Sequence, residues 1–459
     1  MLEWLGGTQL RARGAVLAGV VAAGLAGPAA GQTITDALSS AYNTNPDLAT
    51  QRAVLRQTDE HVNQALSNWR PSVVVSGDYG KADYKTSQLL ARQHLTPRAA
   101  ELTITQPIFR GLRTIAETRA AEADVQAGRA ALRQKEQDVL LAAAGVYLDV
   151  VRDQAVLRLQ QSNVKVLEQQ LQATNARFNV GELTRTDVAQ AQARLASARA
   201  DLQRAEADLA ISRAAYAHVI GTPPGNLVEP KMLGVIPKTE EETVTLAGDK
   251  NPNVVAAVYR VEAADHRVDQ AFGVLLPTVS LQGSASKAYD QNIKNDKYER
   301  LELLAQVTIP LYQNGAEYSR VREAKQFWAQ RRLELDSARR TAVEQAIRAW
   351  RNYQADLSRI KSISSAIDAN KVALEGVRQE AQVGSRTTLD VLNAEQELVN
   401  SQVDLVRAQH DASVAYYQVQ AAIGQLLART LALPVQYYDE EEYYKENRFK
   451  WIGLGSVDN

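Results

Sequence analysis

The chain has 459 residues, of which 45% are hydrophobic but only 6% aromatic, with 13 prolines and a formal net charge of −1. This composition, rich in Ala, Gln, Leu, Arg and Glu, is typical of long helices and argues against a compact enzyme core. The near-neutral charge argues against a nucleic-acid partner, and the lack of cysteine excludes disulfides and thiol-bound metals.

The first 31 residues have the layout of a secretory signal peptide. Arg11 and Arg13 precede an apolar run over residues 15–27, and small residues follow up to Gly31. A membrane anchor is the alternative, but this run falls short of the roughly 20 residues that a spanning helix needs. We therefore predict cleavage near Gly31 and a mature chain that lies beyond the inner membrane.

The rest of the chain contains one pattern twice. Residues 180–188 read VGELTRTDV and residues 383–391 read VGSRTTLDV, an offset of 384 − 181 = 203. Turns, prolines and strand ends keep nearly the same offset along the chain, which indicates a tandem duplication. We predict a first repeat over residues 32–222, a linker over 223–245 and a second repeat over 246–428.

Each repeat is predicted to contain a helix, two strands, a very long helix, a turn and a returning helix. Residues 112–179 and 316–383 contain no proline, and at 1.5 Å per residue each would form a rod of roughly 100 Å. Apolar residues recur every seven positions, as at Val150, Leu157 and Val164. This spacing predicts coiled-coil hairpins.

Segments with period-two alternation follow Pro71 and Pro277. The predicted strands cover residues 71–86, 98–109, 277–288 and 300–312. Each is close to the roughly 9 to 11 residues of a tilted membrane strand, but four strands are too few to close a barrel, so several chains would have to share one. Phe109 and Tyr312, at matching strand ends, fit an aromatic girdle at the membrane interface, with a buried sheet edge as the alternative.

Gly181 and Gly384 interrupt the long helices at matching positions. Glycine permits the left-handed backbone that ends many helices, and a threonine side chain can cap the next helix. We therefore predict a tight turn at each glycine, with Thr186 or Thr388 at the start of the return helix.

These features together resemble the TolC family of outer-membrane export channels. The resemblance rests on the signal peptide, the duplicated helix-strand-strand-helix unit, the PIF and PLY strand ends and VGxxTxxDV in both halves, and it covers roughly residues 33–428. It implies a mainly α fold with a β-barrel. In that fold three identical chains each give four strands to a shared twelve-stranded barrel and their helical hairpins to a periplasmic tunnel. The implied location is the outer membrane, in contact with its lipid, with a periplasmic extension.

The resemblance also implies roles for polar residues at the turns of the two helical hairpins. Arg386 would tie to Asp187 and Thr186 to lock the closed tunnel entrance, and Asp390 would point into the pore. Solvated tip charges are the alternative for any one of these residues.

Two residues depart from the pattern of the best-known family members. Ala381 stands where they carry a tyrosine, and Asn393 stands where a second pore-lining aspartate is expected. One latch and one acidic ring of the entrance are therefore missing from this sequence. The tips would also meet a periplasmic adaptor (a membrane fusion protein) that connects to an inner-membrane transporter.

Residues 429–459 form an acidic, aromatic C-terminal tail that includes YYDEEEYY. We favour a solvated tail, with packing around the equator of the tunnel as the alternative. The histidines are scattered without metal-ligand spacing, and no phosphate-binding loop is present, so we predict no enzyme activity, cofactor or metal.

The predicted function is the exit duct of a tripartite export system, with type I protein secretion preferred. The alternative within the family is the outer-membrane component of a multidrug efflux pump. A periplasmic adaptor or a structural coiled-coil protein is the alternative from another class, but neither explains two duplicated hairpin-and-strand units.

Overall fold

The computed structural model describes residues 31–85 and 92–455. The predicted signal peptide lies outside these residues apart from Gly31. Two similar units follow one another, and the first has two additional short strands. The first unit contains α1 (Ile34–Thr44), α2 (Pro46–Ser67), β1 (Ser72–Tyr79), β2 (Ala82–Tyr84), β3 (Gln93–Leu95), β4 (Arg98–Arg110), α3 (Arg113–Asn179) and α4 (Arg185–Ile220). The second unit contains α5 (Glu240–Lys250), α6 (Pro252–Phe272), β5 (Thr278–Tyr289), β6 (Lys297–Thr308), α7 (Ala316–Gln382) and α8 (Thr388–Ala422).

The long helices are confirmed, because α3 and α7 each contain 67 residues, a length of roughly 100 Å. Each packs along its own return helix. A seam of small and aliphatic side chains joins α3 to α4, including Val164, Leu167, Ala191 and Leu195. The heptad spacing in the sequence therefore does mark the contact between the two arms of a hairpin.

The short helices of both units are capped in the same way. Asn45 and Asn251 cap α2 and α6 with their side-chain oxygens, and a proline occupies the first turn of each helix. Their side-chain amides donate to the carbonyls of Val219, at 3.2 Å, and Ala422, at 3.0 Å. One asparagine thus starts a short helix and ties it to the end of the return helix.

The main hydrophobic core lies where the two units meet, with fully buried side chains from α1, α3, α4 and α8. Tyr147, Tyr216 and Tyr417 are among its largest members. The Tyr147 hydroxyl donates to the carbonyl of Val228 in the linker at 2.6 Å, so a buried polar group there is satisfied by backbone.

The two equally long helices differ in how much of each is covered. Helix α3 has 23 buried residues, whereas α7 has seven. Leu333 and Val372 of α7 are 70% and 74% exposed. Within one chain, α7 therefore lacks the second layer of side chains that covers α3.

The strands form an antiparallel sheet in the order β1-β4-β5-β6, and β2 and β3 form a small separate hairpin. The predicted β1–β4 and β5–β6 hairpins are confirmed, and the β4–β5 pairing joins the two units. At the helical end of the sheet, a Cβ atom on Gly273 would lie only 2.4 Å from the Gly111 carbonyl oxygen. The two units therefore touch backbone to backbone where the sheet meets the helices.

Two predicted strand boundaries were wrong. The strand predicted over residues 71–86 divides into β1 and β2. The Gly80 N–H still donates to the carbonyl of Pro97 across the ladder at 2.9 Å, but Pro97 has no N–H to donate in return. The strand predicted over residues 300–312 instead spans Lys297–Thr308. Pro310 has no N–H to give to a ladder, so the chain leaves the sheet before Tyr312.

The prediction of a solvated C-terminal tail was also wrong. Leu431 and Leu433 enter the main core, and a short helix, α9 (Glu442–Asn447), follows along α2 and α3. Glu440 and Glu441 pair with Arg133 and Arg129 of α3 at 2.9 and 3.1 Å. The acidic run is thus bound to basic side chains rather than to water alone. In the described part of the chain, no helix is both long and apolar enough to cross a bilayer.

Candidate functional site

The tips of the two long hairpins turn within five residues. Gly181 and Gly384 have φ values of +80° and +78°, a region in which a side chain causes strain. The Glu182 N–H donates to the carbonyl of Arg177, and the Ser385 N–H to that of Glu380, each at 2.9 Å. Both glycines therefore end their helices in the left-handed turn that the sequence predicted.

The residues that cap the return helices lie two positions earlier in one tip, and one position earlier in the other, than the predicted threonines. Thr184 and Thr387, not Thr186 and Thr388, are the caps. Their hydroxyls accept from the backbone N–H of Asp187 and Asp390, whose carboxylates in turn accept from the threonine N–H groups. The signal was present in the sequence as Thr-x-x-Asp, a capping box.

The capping contacts also favour the ionised form of the Asp390 carboxyl group. Its carboxylate accepts hydrogen bonds from the backbone N–H and the hydroxyl of Thr387 at 3.0 and 2.8 Å. These bonds, with a smaller contribution from Arg386, lower the pKa of Asp390 below its ordinary value. Asp390 is therefore ionised at neutral pH and held in one orientation.

Each tip contains one ion pair between the end of the long helix and the turn. In the first tip Arg177 contacts Glu182, and in the second Arg386 contacts Glu380, both at 2.9 Å. Within the single chain the guanidinium of Arg386 is thus paired with Glu380 and is not brought to Asp187. Thr186 is an exposed residue in the first turn of α4.

The two tips are held side by side through α4 and α8. The Arg194 guanidinium donates to the side-chain oxygen of Asn393 at 2.6 Å, and Leu392 is buried in the seam that contains Ala191. Asn393 therefore has a structural contact of its own, while the half-buried Ala381 lies in the last turn of α7.

At the other end of the molecule, the sheet has one apolar and one polar face. Directly opposed residues lie on the same face of an antiparallel sheet. One face carries the rows Val73–Ile104–Gly283–Leu303 and Val75–Leu102–Ala285–Leu301, and the other carries Val74–Thr103–Ser284–Glu302 and Ser76–Glu101–Ser286–Arg300. Val75, Leu301 and Leu303 are 75%, 88% and 71% exposed.

The two predicted interface aromatics occupy different settings. Phe109 is half-buried within β4, opposite Val279, next to an irregularity in the ladder. Tyr312 lies beyond the end of β6 and is 74% exposed. The matching sequence positions therefore do not place the two rings equivalently on the sheet.

One histidine has charged neighbours that the sequence did not indicate. The His410 ring nitrogens lie 2.9 Å from an Asp149 carboxylate oxygen and 3.1 Å from that of Asp411. Burial lowers the pKa of His410, but the two carboxylates outweigh it and raise the pKa above its ordinary value. Among the described residues, no group of histidine and acidic side chains could hold a metal ion.

Known proteins share both the sequence pattern and this architecture. The chain matches the outer membrane efflux protein family over residues 37–222 and 244–425. It is 35% identical to the outer membrane efflux protein BepC of Brucella suis, over 98% of this chain and 97% of BepC. It is 25% identical to the outer membrane protein TolC of Vibrio cholerae, over 86% of this chain and 91% of TolC.

More distant proteins also match the chain. The chain is 23% identical to the alkaline protease secretion protein AprF of Pseudomonas aeruginosa, over 65% of this chain and 63% of AprF. The crystal structure of CusC matches with a TM-score of 0.76 at 16% identity, over 86% of this chain and 92% of CusC, and this likeness shows the fold. The chain therefore belongs to the outer membrane efflux protein family, which is the TolC family that its sequence resembles, and it is a protein of the outer membrane.

Proposed function

We propose that three copies of this chain form an outer-membrane channel that serves as the exit duct of a tripartite export system. The observation that carries the proposal is a four-stranded sheet with an exposed apolar face, a polar opposite face and two open edges. Within the described residues, β1 and β6 each pair on one side only. Open edges pair readily with further strands.

Joining β1 of one chain to β6 of the next would remove both edges. Three chains would give twelve strands, above the roughly eight that a membrane barrel requires. The apolar rows would face lipid and the polar rows would line the lumen. The exposed side chains of α7 support the same assembly, because a neighbouring chain would supply their missing second layer.

The helical hairpins would then extend from the sheet into the periplasm as a tunnel of roughly 100 Å. The tips would form its entrance, with three copies of Asp390 near the axis and Asn393 as a neutral ring. Arg386 would exchange its partner Glu380 for Asp187 and Thr186 when the entrance closes. The 3.0 Å capping bond of Asp390 supports the acidic ring, because it fixes a charged carboxylate at the tip.

The entrance is testable by single-channel recording in planar bilayers. Arg386→Ser should raise the conductance, and Asp390→Ala should reduce block by multivalent cations, because a ring of carboxylates concentrates cations. Arg177→Ser is the matched control, since it removes the other tip's ion pair of the same length. Unchanged conductance and block in the first two variants would make these residues ordinary solvated tip charges.

A periplasmic adaptor at the tips and an inner-membrane transporter would complete the system. For the cargo, the name of BepC, an outer membrane efflux protein, favours efflux. The name of AprF, an alkaline protease secretion protein, favours protein secretion, which was preferred from the sequence. Deletion of the gene separates the two. Increased drug susceptibility with an unchanged set of secreted proteins would support efflux, and loss of one secreted protein with unchanged susceptibility would support type I secretion.

A channel is also distinguishable from an adaptor or a structural coiled coil. A channel should be extracted from the outer membrane only by detergent and should conduct ions in a bilayer. Protein that is released by salt alone and never conducts would contradict the proposal.

A further inference from the structure

The last described residues of the chain form an exposed apolar segment. Residues 449–454 read FKWIGL, and Phe449, Trp451, Ile452 and Leu454 are 71%, 65%, 91% and 107% exposed. The whole chain has only five phenylalanines and five tryptophans. Four solvent-facing apolar residues within six positions therefore form an unusual surface for the water-facing part of a protein.

The docked tail runs toward the sheet. Glu440 contacts Arg133, and eight residues later Arg448 contacts Glu122. The contacts on α3 thus move by 133 − 122 = 11 residues, roughly 16 Å, toward the start of the helix. Helix α3 begins at Arg113, three residues after the end of β4. The apolar segment continues from that point in the same direction.

Contacts with residues near the end of α2 fix the position of the segment along the long axis of the molecule, relative to the sheet. The Lys450 carbonyl accepts from the Asn63 amide at 3.1 Å and from the Arg70 guanidinium at 3.0 Å. The same guanidinium lies over the Trp451 ring, 5.2 Å from its centroid. Arg70 is separated from Ser72, the first residue of β1, only by Pro71. Trp451 is therefore held beside the start of an edge strand.

The opposite edge of the sheet is apolar at the same end. Ile309, Leu311 and Tyr312, which follow β6, are 60%, 87% and 74% exposed. Tryptophan and tyrosine favour the boundary between water and lipid, where the ring is half solvated. Arg70 and Lys450 add positive charge beside Trp451, which suits anionic headgroups.

We propose that residues 449–454 are a membrane-interface anchor. Trp451, Ile452 and Leu454 would insert among the headgroups and upper acyl chains of the periplasmic leaflet, and the docked tail would hold them beside β1. This inference rests on the proposed placement of the sheet in the membrane, because the height of the segment is defined relative to β1. The apolar face of the neighbouring sheet favours a lipid bilayer as the partner that covers this segment.

Because the chain lacks cysteine, single cysteines can carry a nitroxide label without other changes. Ile452→Cys tests the segment, Leu303→Cys on the apolar face of β6 is the lipid reference, and Glu446→Cys in α9 is the water reference. The full-length protein is reconstituted in vesicles of phosphatidylethanolamine and phosphatidylglycerol. Collision rates with oxygen, which concentrates in lipid, and with a water-soluble nickel chelate are then compared.

We expect the ratio of oxygen to nickel collisions at residue 452 to be several-fold above that at 446 and below that at 303. A ratio equal to that at 446 would place the segment in water and overturn the inference while leaving the channel intact. Shielding of residue 452 from both reagents would show a protein contact, such as a second copy, and would also overturn it. A water-like ratio at 303 would contradict the proposed membrane sheet, and the inference with it.

Discussion

Replacement of Asp59 by asparagine should stabilise the protein, and only above a defined pH. Asp59 lies in α2 beneath the docked tail and is 4% exposed. One of its carboxylate oxygens has no hydrogen-bond partner among the described residues. Burial raises the pKa of Asp59 to about 6, partly opposed by the positive charge of Arg129.

The size of the effect follows from that pKa. The shift from 3.8 to about 6 is roughly two units, and at 1.36 kcal/mol per unit it corresponds to about 3 kcal/mol. A raised acidic pKa means that the folded state binds the proton more tightly than the unfolded state. The bound proton on Asp59 therefore stabilises the folded state below about pH 4, and this stabilisation is lost as the pH rises through about 6. Asparagine resembles the protonated form, so Asp59→Asn should restore the lost stability at pH 8 and change little at pH 4.

Thermal unfolding in detergent, followed by helical circular dichroism, measures this difference. With an unfolding entropy of about 2.1 cal/mol/K per residue, 3 kcal/mol corresponds to a rise of roughly 3 °C in the midpoint at pH 8. Asp47→Asn is the control with the opposite sign, because Lys135 lowers the pKa of Asp47 at the surface. An equal shift of the Asp59→Asn midpoint at both pH values would refute the reasoning.

Two further substitutions test other contacts. Gly273→Ala should sharply reduce the yield of folded protein, because the added Cβ would lie 2.4 Å from the Gly111 carbonyl oxygen. Gly376→Ala is the control, since open space surrounds Gly376, and it should be neutral or stabilising by up to about 1 kcal/mol. Equal yields for the two variants would contradict this. His410→Gln should lower the unfolding midpoint at pH 6 but much less at pH 9. The raised pKa of His410 stabilises the fold below about pH 6.5, and that stability is lost as the pH rises through the folded-state pKa. A loss that does not depend on pH would mean that His410 acts through packing alone.

Much of the helical architecture was predictable because its causes are local. The long helices follow from the absence of proline and the heptad spacing, and the tip turns follow from Gly181 and Gly384. The caps at Thr184 and Thr387 were missed, although their spacing to the aspartates was visible. That error arose because two threonines lie close together in each turn.

The remaining features depend on partners far apart in the chain. The acidic tail was predicted to be solvated because Arg129 and Arg133, which bind it, lie about 300 residues away. The pairing of β4 with β5 joins the two repeats and has no local signal. The exposed surface of α7 was also beyond prediction, because period and composition do not show which face of a helix a single chain leaves uncovered.

The number of chains in the detergent-extracted protein tests the central proposal most directly, since a four-stranded sheet with two open edges cannot close alone. Native mass spectrometry after removal of detergent should show three copies of the chain as the dominant species. A stable monomer or dimer as the dominant species would contradict the shared barrel and, with it, the proposed channel.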